Sequence, residues 1–309
     1  MIVYILRRLL WLPVLLIAVS FLTFTLGLHG PGDPCQVRLG QHVNPEALAR
    51  CRHQEGLDRP LVVQYLDYIR KALNGDLGLS LKYQGQPVGR LIAKRLWVSV
   101  QLNMVALGLG MVVGIPLGII AALKSNTWLD YIIVAVGVAG VSLPAFTIAP
   151  ILGWFLAVRL HLLPPGGWDG LFSTKIIMPA LVLASGVVTV FVRQTRANML
   201  EEIEQDYVRT ARAKGLMERA VILRHALRNA LIPLFTIFGL LVGGLVGGSF
   251  ITELIFGIPG IGRLGFEAFF ARDYPVITAL TLVTAISYAL ASLAVDMGYG
   301  FLDPRIGRE

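Results

Sequence analysis

Long apolar runs alternate with polar segments along this chain, and the runs have the length of membrane spans. Residues 9–28 form the first, without a charge; about 20 such residues cross ~30 Å of hydrocarbon as a helix. The run is longer than an ordinary signal core, and no small-x-small cleavage site precedes His29, so it reads as an uncleaved span. Five more follow at 98–123, 131–158, 176–192, 231–251 and 276–295. The pattern predicts an all-α polytopic membrane protein of six transmembrane helices.

The polar segments have their own grammar. Residues 29–95 are a long insertion after the first span. Pro31-Gly32-Asp33-Pro34 opens it as a turn cluster, 45–54 and 61–73 read as helices, the second amphipathic, and Gly75-Asp76-Leu77-Gly78 breaks the second. Pro164-Pro165-Gly166-Gly167 marks a short loop. Residues 252–275 form another, whose Pro259-Gly260-Ile261-Gly262 has turn chemistry with apolar flanks, as in a re-entrant or interfacial loop. Residues 193–230 are basic and helix-prone.

Charge sets the orientation. Arg7, Arg8, Lys124, Arg193, Arg196, Arg209, Arg212, Lys214, Arg219, Arg224, Arg228, Arg305 and Arg308 fall on the side of the N-terminus. The two short loops opposite hold only Arg159, Lys175, Arg263 and Arg272. By the positive-inside rule both termini and residues 193–230 are expected in the cytoplasm, and 29–95 outside as an extracytoplasmic insertion. The insertion's own cations do not count against this, because loops beyond roughly 60 residues escape the rule. Residues 1–309 are expected to form one transmembrane unit.

Composition agrees: 55% hydrophobic, 15% charged, mean hydropathy +0.70, against roughly a quarter charged in soluble domains. The net charge of +8 flanks apolar runs, and no aromatic-basic stripe points to nucleic acid. The partner of this surface is the lipid bilayer. Cys35 and Cys51 are the only cysteines, without Cys-x-x-Cys or His-rich spacing, so no metal site is expected. Both lie in the insertion, where an oxidising compartment permits a disulfide. The bridge would close a loop of about 15 residues and contribute roughly 3 kcal/mol; two unrelated thiols is the reading the spacing leaves open.

The chemistry the chain lacks is informative. No Gly-x-x-x-x-Gly-Lys-Ser/Thr phosphate loop occurs. The runs as bounded contain no Asp, Glu, Lys, Arg or His, which argues against an ion- or proton-coupled secondary transporter, since a relay needs groups that titrate. Ser249 follows Gly247-Gly248, yet no histidine lies in a run to act as its base, so no catalytic residue is expected. A non-transport membrane assembly protein would also tolerate uncharged spans. Candidate pathway or interface residues are Gln101 and Asn103, whose amides are costly in lipid, with Ser142 and Ser249. Ser and Thr also satisfy helix carbonyls. Gly243 and Gly247, with Gly239, Gly244 and Gly248, make a small-residue stripe suited to close packing within the chain, to a subunit interface or to a pathway wall. Pro144 and Pro150 each delete a helix hydrogen bond in the third run, which a pathway or a simple kink could accommodate.

One segment stands outside the bilayer pattern: Asp206-Tyr207-Val208-Arg209-Thr210-Ala211-Arg212-Ala213-Lys214-Gly215. Asp206 is placed to cap a short helix, 208–214 are helix formers, and Gly215 can end it in the left-handed conformation. Residues 218–229 read as a second helix running on toward the membrane. Ala211 and Ala213 would let another surface approach the backbone. The segment resembles the cytoplasmic coupling motif of ABC importer permeases, commonly written Glu-Ala-Ala, three residues, Gly, nine residues, Ile-x-Leu-Pro. The closer resemblance is to the dipeptide, oligopeptide and nickel branch, carried by 206–215 and by His225-Ala226-Leu227-Arg228-Asn229-Ala230. Here Arg209 and Thr210 stand for Glu-Ala, and 225–228 occupy the Ile-x-Leu-Pro place, with proline only at Pro233. Pro31-Gly32-Asp33-Pro34, Leu57-Asp58-x-Pro60 and Arg272-Asp273-Tyr274-Pro275 match the same branch, so the resemblance covers nearly the full length.

The resemblance implies a permease subunit of an ATP-driven importer in the cell membrane, forming half of a pathway for short peptides or a similar small solute. It implies a second homologous permease subunit, two ATP-binding cassette ATPase subunits, with 206–215 docking into a groove on an ATPase, and an extracytoplasmic solute-binding protein. The chain itself would need no cofactor; ATP and Mg would be held by the ATPases.

The charge pattern carries a direct test. A protease added to intact cells or right-side-out vesicles is expected to cut only within 29–95. Cleavage near Arg212 without permeabilisation excludes the six-span arrangement.

Overall fold

The structure, a computed structural model, describes residues 2–29, 34–39, 44–54 and 56–302. The expected turn at 31–33 and the C-terminal tail from Asp303 lie outside the described residues. The chain is helical: α1 (Ile2–His29), α2 (Pro34–Leu39), α3 (Pro45–Gln54), α4 (Leu61–Leu73), α5 (Val88–Leu123), α6 (Trp128–Ser142), α7 (Ala145–Gly153), α8 (Ile177–Ile203), α9 (Asp206–Ala213), α10 (Glu218–Ala220), α11 (Leu227–Gly244), α12 (Phe250–Ile255), α13 (Ile261–Ala271) and α14 (Tyr274–Leu302). Among the described residues the only β pairing is one antiparallel bridge between Leu79 and Pro87. Five helical stretches are long and apolar enough to cross a membrane, and α6 with the helix after it makes a sixth if the bent pair is one span.

Three boundaries differ from the sequence pattern, each for a local reason. The third run is not one straight helix. Leu143 is extended ahead of Pro144, as residues before proline are, and the chain turns through 98° between Trp128–Ser142 and Ala145–Arg159. Pro150 is by contrast absorbed inside α7. The second span begins ten residues early, at Val88: α5 has 36 residues, about 54 Å of helix, and so outgrows the hydrocarbon. The charged residues Arg90, Lys94 and Arg95 mark the part that hydropathy assigned to the insertion. The fifth helix runs from Glu218 to Gly247, through π-helical turns at Val221–Ala226, and ends where Gly248 takes φ +67°. The loop expected at 252–275 is then two helices, α12 and α13.

The spine is the pair α5 and α8. A β-carbon on Gly110 would lie 2.3 Å from Val187 Cγ1; one on Gly114, 2.8 Å from the Val188 carbonyl; one on Gly118, 2.8 Å from the Val192 carbonyl. Three glycines at four-residue spacing thus let the two backbones touch, which is how helices associate where lipid removes the hydrophobic drive. The α11 stripe singled out from sequence packs within the chain too. Gly239 faces Val295, and Gly243 faces Ala291 and Tyr288, all on α14. At one end of the spine, Ala122, Met199, Val208, Ala211, Val221, Ala226 and Ala230 form a small-residue core. At the other, 88–92 pack with Ile261, Leu264, Val276, Ala279 and Leu280. The insertion is held by α4 against α1 and by a disulfide between Cys35 and Cys51, which joins α2 to α3.

Gly114→Val forces a side chain into the Val188 backbone and is expected to cost about 1–3 kcal/mol, read as a lowered unfolding midpoint of the detergent-solubilised chain. Gly108→Ala, where nothing lies within 4 Å, is expected not to lower the midpoint and to raise it by the helix preference of Ala over Gly, about 0.5–1 kcal/mol. Equal midpoints for both would contradict the backbone contact.

Candidate functional site

The segment 206–217 folds as a capped knob on the small-residue end of the spine. α9 has eight residues, too short to stand alone in water. It is held by Val208 and Ala211, both buried against Ala122 of α5, Met199 of α8, and Val221, Ala226 and Ala230. Asp206 does not cap it. Gln205 occupies the N-cap without a side-chain bond, and Asp206 is the first helical residue, its carboxylate 3.4 Å from Arg209. There it still favours the positive end of the helix dipole. Thr210 Oγ1 donates to the Asp206 carbonyl at 2.8 Å, and the Tyr207 hydroxyl bonds the Glu202 carboxylate. Burial first, and then that carboxylate, raise the Tyr207 phenol above its ordinary pKa.

Gly215 has φ +74°, and nothing lies within 4 Å of a β-carbon built there. The left-handed backbone alone demands glycine. Leu216 N then donates back to the Ala211 carbonyl at 3.4 Å, closing the helix. Arg212 grips Glu218 through two nitrogens, at 2.7 and 3.2 Å, across this turn. Ala211 therefore admits this chain's own helices and not an outside surface. What faces outward is Tyr207, Arg209, Thr210, Ala213, Lys214, Leu216 and Met217, the last 79% exposed.

Two further links tie the knob's support together. Asp130 accepts from Arg196 Nε and Nη2 at 2.6 and 2.7 Å and from the Asn126 amide at 3.0 Å, locking α6 to α8. Asn198 donates to the Ala230 carbonyl of α11 at 3.0 Å.

The candidate pathway residues divide. Ser142 satisfies its own helix, donating to the Val138 carbonyl at 2.8 Å, and with Pro144 sits at the break between α6 and α7. Asn103 reaches across to the Leu245 carbonyl at 3.1 Å. Gln101 lies half-buried two residues earlier on α5. Gly247 borders an open apolar groove of about 730 Å3 walled by Phe250, Phe266, Phe270, Thr284 and Tyr288. Ser249 is half-buried, and its amide donates to Glu253 at 3.2 Å. Thus Asn103, Gly247 and Ser249 converge on the end of α11, while Ser142 and Pro144 do not join them.

Glu253 was missed by the sequence reading, which left it in a loop. It is 0% exposed. Its carboxylate accepts from Ser99 Oγ at 2.7 Å, the Ser249 amide at 3.2 Å and the Arg263 amide at 2.8 Å, and Ser99 Oγ accepts from the Ile261 amide at 2.7 Å. A β-carbon on Gly260 would lie 2.4 Å from this carboxylate, and one on Gly262 2.5 Å from Phe250 N. The turn glycines are therefore the space that the acid occupies. A lone acid inside the apolar stretch 229–262 was the available signal, since such a group must be met by donors when buried.

Nearby, Asp273 accepts from Ser80 Oγ at 2.5 Å and from the Lys82 amide at 3.1 Å. Glu267 bonds the Tyr83 hydroxyl, Arg263 Nε at 2.8 Å and Lys82 Nζ at 3.2 Å. Burial pushes the Glu267 carboxyl up, but these donors together outweigh it and hold the group at about 2. The 80–83 turn is thereby fastened to α13 and the start of α14.

Comparison with known proteins bears on all of this. The model of the binding-protein-dependent transport system inner membrane component matches residues 114–308, and its N-terminal companion matches 1–95. The chain is 38% identical over 332 residues to the dipeptide transport system permease protein DppB of Alkalihalophilus pseudofirmus, covering 99% of each. It is 37% identical over 311 residues to the oligopeptide transport system permease protein AppB of Bacillus subtilis, covering 98% of each. It is 39% identical over 303 residues to the glutathione transport system permease protein GsiC of Escherichia coli, covering 98% of each. Its fold is similar to a chain in the inward-facing MetNI methionine ABC transporter, with TM-score 0.58 and 19% identity, over 69% of this chain and 96% of that one.

The Glu267 cluster predicts a pH dependence. The folded pKa lies below the ordinary carboxylate value of 4.5, so its stabilisation is complete above about pH 4.5 and is lost as pH falls through about 2. Glu267→Gln is expected to lower the unfolding midpoint at pH 6 and to shrink the difference between parent and variant toward pH 3. A constant difference across that range would contradict the assignment.

Proposed function

The chain belongs to the binding-protein-dependent inner membrane component family of ABC importer permeases, and from that premise we propose that α9 is the element through which ATPase subunits drive it. As a multi-pass permease subunit of the cell membrane it forms part of a translocation pathway. One observation carries the proposal further. The inner face of α9 is packed onto α5, α8 and the helix leading into α11, while its outer face is uncovered. Force applied to that outer face reaches three spans at once.

The complete transporter on this reading contains a second related permease, two ATPases holding ATP and Mg, and a solute-binding protein on the side of residues 29–95, with both termini and α9 in the cytoplasm. ATP hydrolysis belongs to the ATPases. The cargo is a short peptide or a peptide-like solute, the class that the names of the dipeptide, oligopeptide and glutathione relatives share. Transport follows alternating access, which requires that ATPases and cargo bind the inward- and outward-open states with different affinity. Asn103, Gly247, Ser249 and the groove beside Tyr288 are the pathway wall on this reading. With no charge among the groove's lining residues, it suits the uncharged parts of the cargo.

The test uses the exposed face. Ala211→Trp would unseat α9 from its own chain and says little about docking. Ala213→Trp and Met217→Glu change only exposed positions and are expected to shift stability by within about 0.5 kcal/mol. They should nevertheless reduce ATPase co-purification at least tenfold and abolish substrate-stimulated ATP turnover in reconstituted vesicles. Parent-like docking and turnover in both variants would remove α9 from the coupling role.

A further inference from the structure

The groove beside Tyr288 borders the broken end of α11. That helix stops at Gly244, continues as a 3-10 turn through Leu245–Gly247 and reverses at Gly248, where φ is +67°. These residues lie inside the apolar run 231–251. Irregular backbone at that depth persists only where protein covers it or a water-filled cavity adjoins it. Part of it is covered: Asn103 donates to the Leu245 carbonyl at 3.1 Å, and Ser287 Oγ to the Gly243 carbonyl at 3.0 Å. Gly247 instead lines the groove.

Two hydroxyls on one face of α14 say what the groove takes. Thr284 and Tyr288 stand one turn apart near the middle of the apolar run 276–295, and both line the groove. Thr281, a turn before, satisfies itself on the Ile277 carbonyl at 2.9 Å. Neither the Thr284 nor the Tyr288 hydroxyl makes a hydrogen bond among the described residues, and Tyr288 is 47% exposed. Glycines make the room for them. A β-carbon on Gly244 would lie 2.9 Å from the Tyr288 hydroxyl, and one on Gly247 3.6 Å from the Thr284 methyl. Acyl chains offer a hydroxyl no partner, and an unmet hydroxyl in hydrocarbon is costly, so lipid is a poor occupant. The remaining wall is aromatic. Phe250 stacks on Phe266 at 5.9 Å, and Phe270 tilts on Phe266 at 4.6 Å. α13, which carries Phe266 and Phe270, is held in place by the bonds of the Arg263 amide to Glu253 and of Glu267 to Lys82 and Tyr83.

We infer that the groove is a cargo subsite for one residue of a peptide. Phe250, Phe266 and Phe270 receive an aromatic or large aliphatic side chain, and the Thr284 and Tyr288 hydroxyls bond its peptide group. The inference rests on the reading of the groove as pathway wall and adds which part of the cargo is held there, and by what. Size and lining agree with it. A volume of about 730 Å3 falls within the roughly 300–1,000 Å3 of small-ligand pockets, which are apolar with a few placed polar groups. A peptide supplies both halves of the match: a side chain for the rings, and a carbonyl and an amide for the hydroxyls. A helix of another permease bonds its backbone groups internally and so has fewer groups to offer them.

The experiment uses the complete transporter with its solute-binding protein in reconstituted vesicles, and the dipeptides alanyl-phenylalanine and alanyl-alanine. The binding protein's own preference is common to parent and variants, so it cancels when each variant is compared with the parent. Phe270→Ala, at a position 69% exposed, is expected to lower uptake of alanyl-phenylalanine at least tenfold relative to alanyl-alanine. Tyr288→Phe removes only the hydroxyl and is expected to lower uptake of both at least fivefold, while ATPase co-purification stays parent-like. Parent-like selectivity in the first, or parent-like uptake in the second, would overturn the inference, as would a parent that takes up neither dipeptide. Ala285→Cys, also in the groove lining, separates the subsite from the reading beneath it. Cys35 and Cys51 are bridged, so the new thiol is the chain's only free one. A charged thiosulfonate reagent should modify it during ATP turnover, and alanyl-phenylalanine should slow the modification. No modification removes the groove from the pathway and the subsite with it. Modification at one rate with and without the dipeptide leaves the pathway wall standing and overturns the subsite.

Discussion

Backbone contact between α5 and α8 is the constraint on which the rest depends. Water supplies the packing drive in soluble proteins; within lipid, close approach and satisfied polar groups must replace it. Gly110, Gly114 and Gly118 provide the approach. Everything functional hangs on the ends of this pair. α9 seats where Ala122 and Met199 meet, and the Glu253 clamp closes on Ser99 near the other end. A displacement of α9 therefore acts on a stiff unit and not on isolated helices.

The buried acids cluster at the two rims, and there each accepts two or more hydrogen bonds. Asp130 with Arg196 fixes α6 at one rim, while Glu253, Glu267 and Asp273 fix the helices and turns at the other. A buried carboxylate without donors would cost several kcal/mol. With two or three donors each, these acids instead specify one geometry for segments that are short and glycine-rich. The middle of the molecule is held mainly by shape, with the Asn103 amide and Thr189, which bridges α8 to the Gly137 carbonyl of α6 at 2.6 Å, among the polar ties.

The sequence revealed what hydropathy and local chemistry encode. The apolar runs, the left-handed Gly215 and the helix breaks flanking 206–213 follow from residue types within a few positions of each other. Partners remote in sequence were invisible. Glu253 looked like a loop acid because Ser99, which meets it, lies 154 residues away. Ala211 looked like an outward docking surface because nothing local shows which face of an eight-residue helix turns inward. The early start of α5 was hidden by Arg90, Lys94 and Arg95, which hydropathy reads as the end of a span although the helix continues past the lipid. The glycines of α11 drew attention, and those of α5 did not, although the latter make the spine's backbone contacts.

The packing of α1 on α14 also governs how the molecule is made. α1 is synthesised well before α14, and its Gly27 finds its place against Tyr274 and Thr278, near the beginning of that helix. Roughly 245 residues separate them, so at about 5–20 residues per second the ribosome needs some 10–50 s to deliver the partner. For that interval α1 resides in the bilayer without its neighbour. Ser20 is provided for throughout, since its hydroxyl already bonds the Ile17 carbonyl one turn back, at 3.1 Å. The nascent chain can thus hold α1 in lipid with the Ser20 hydroxyl satisfied until α14 arrives.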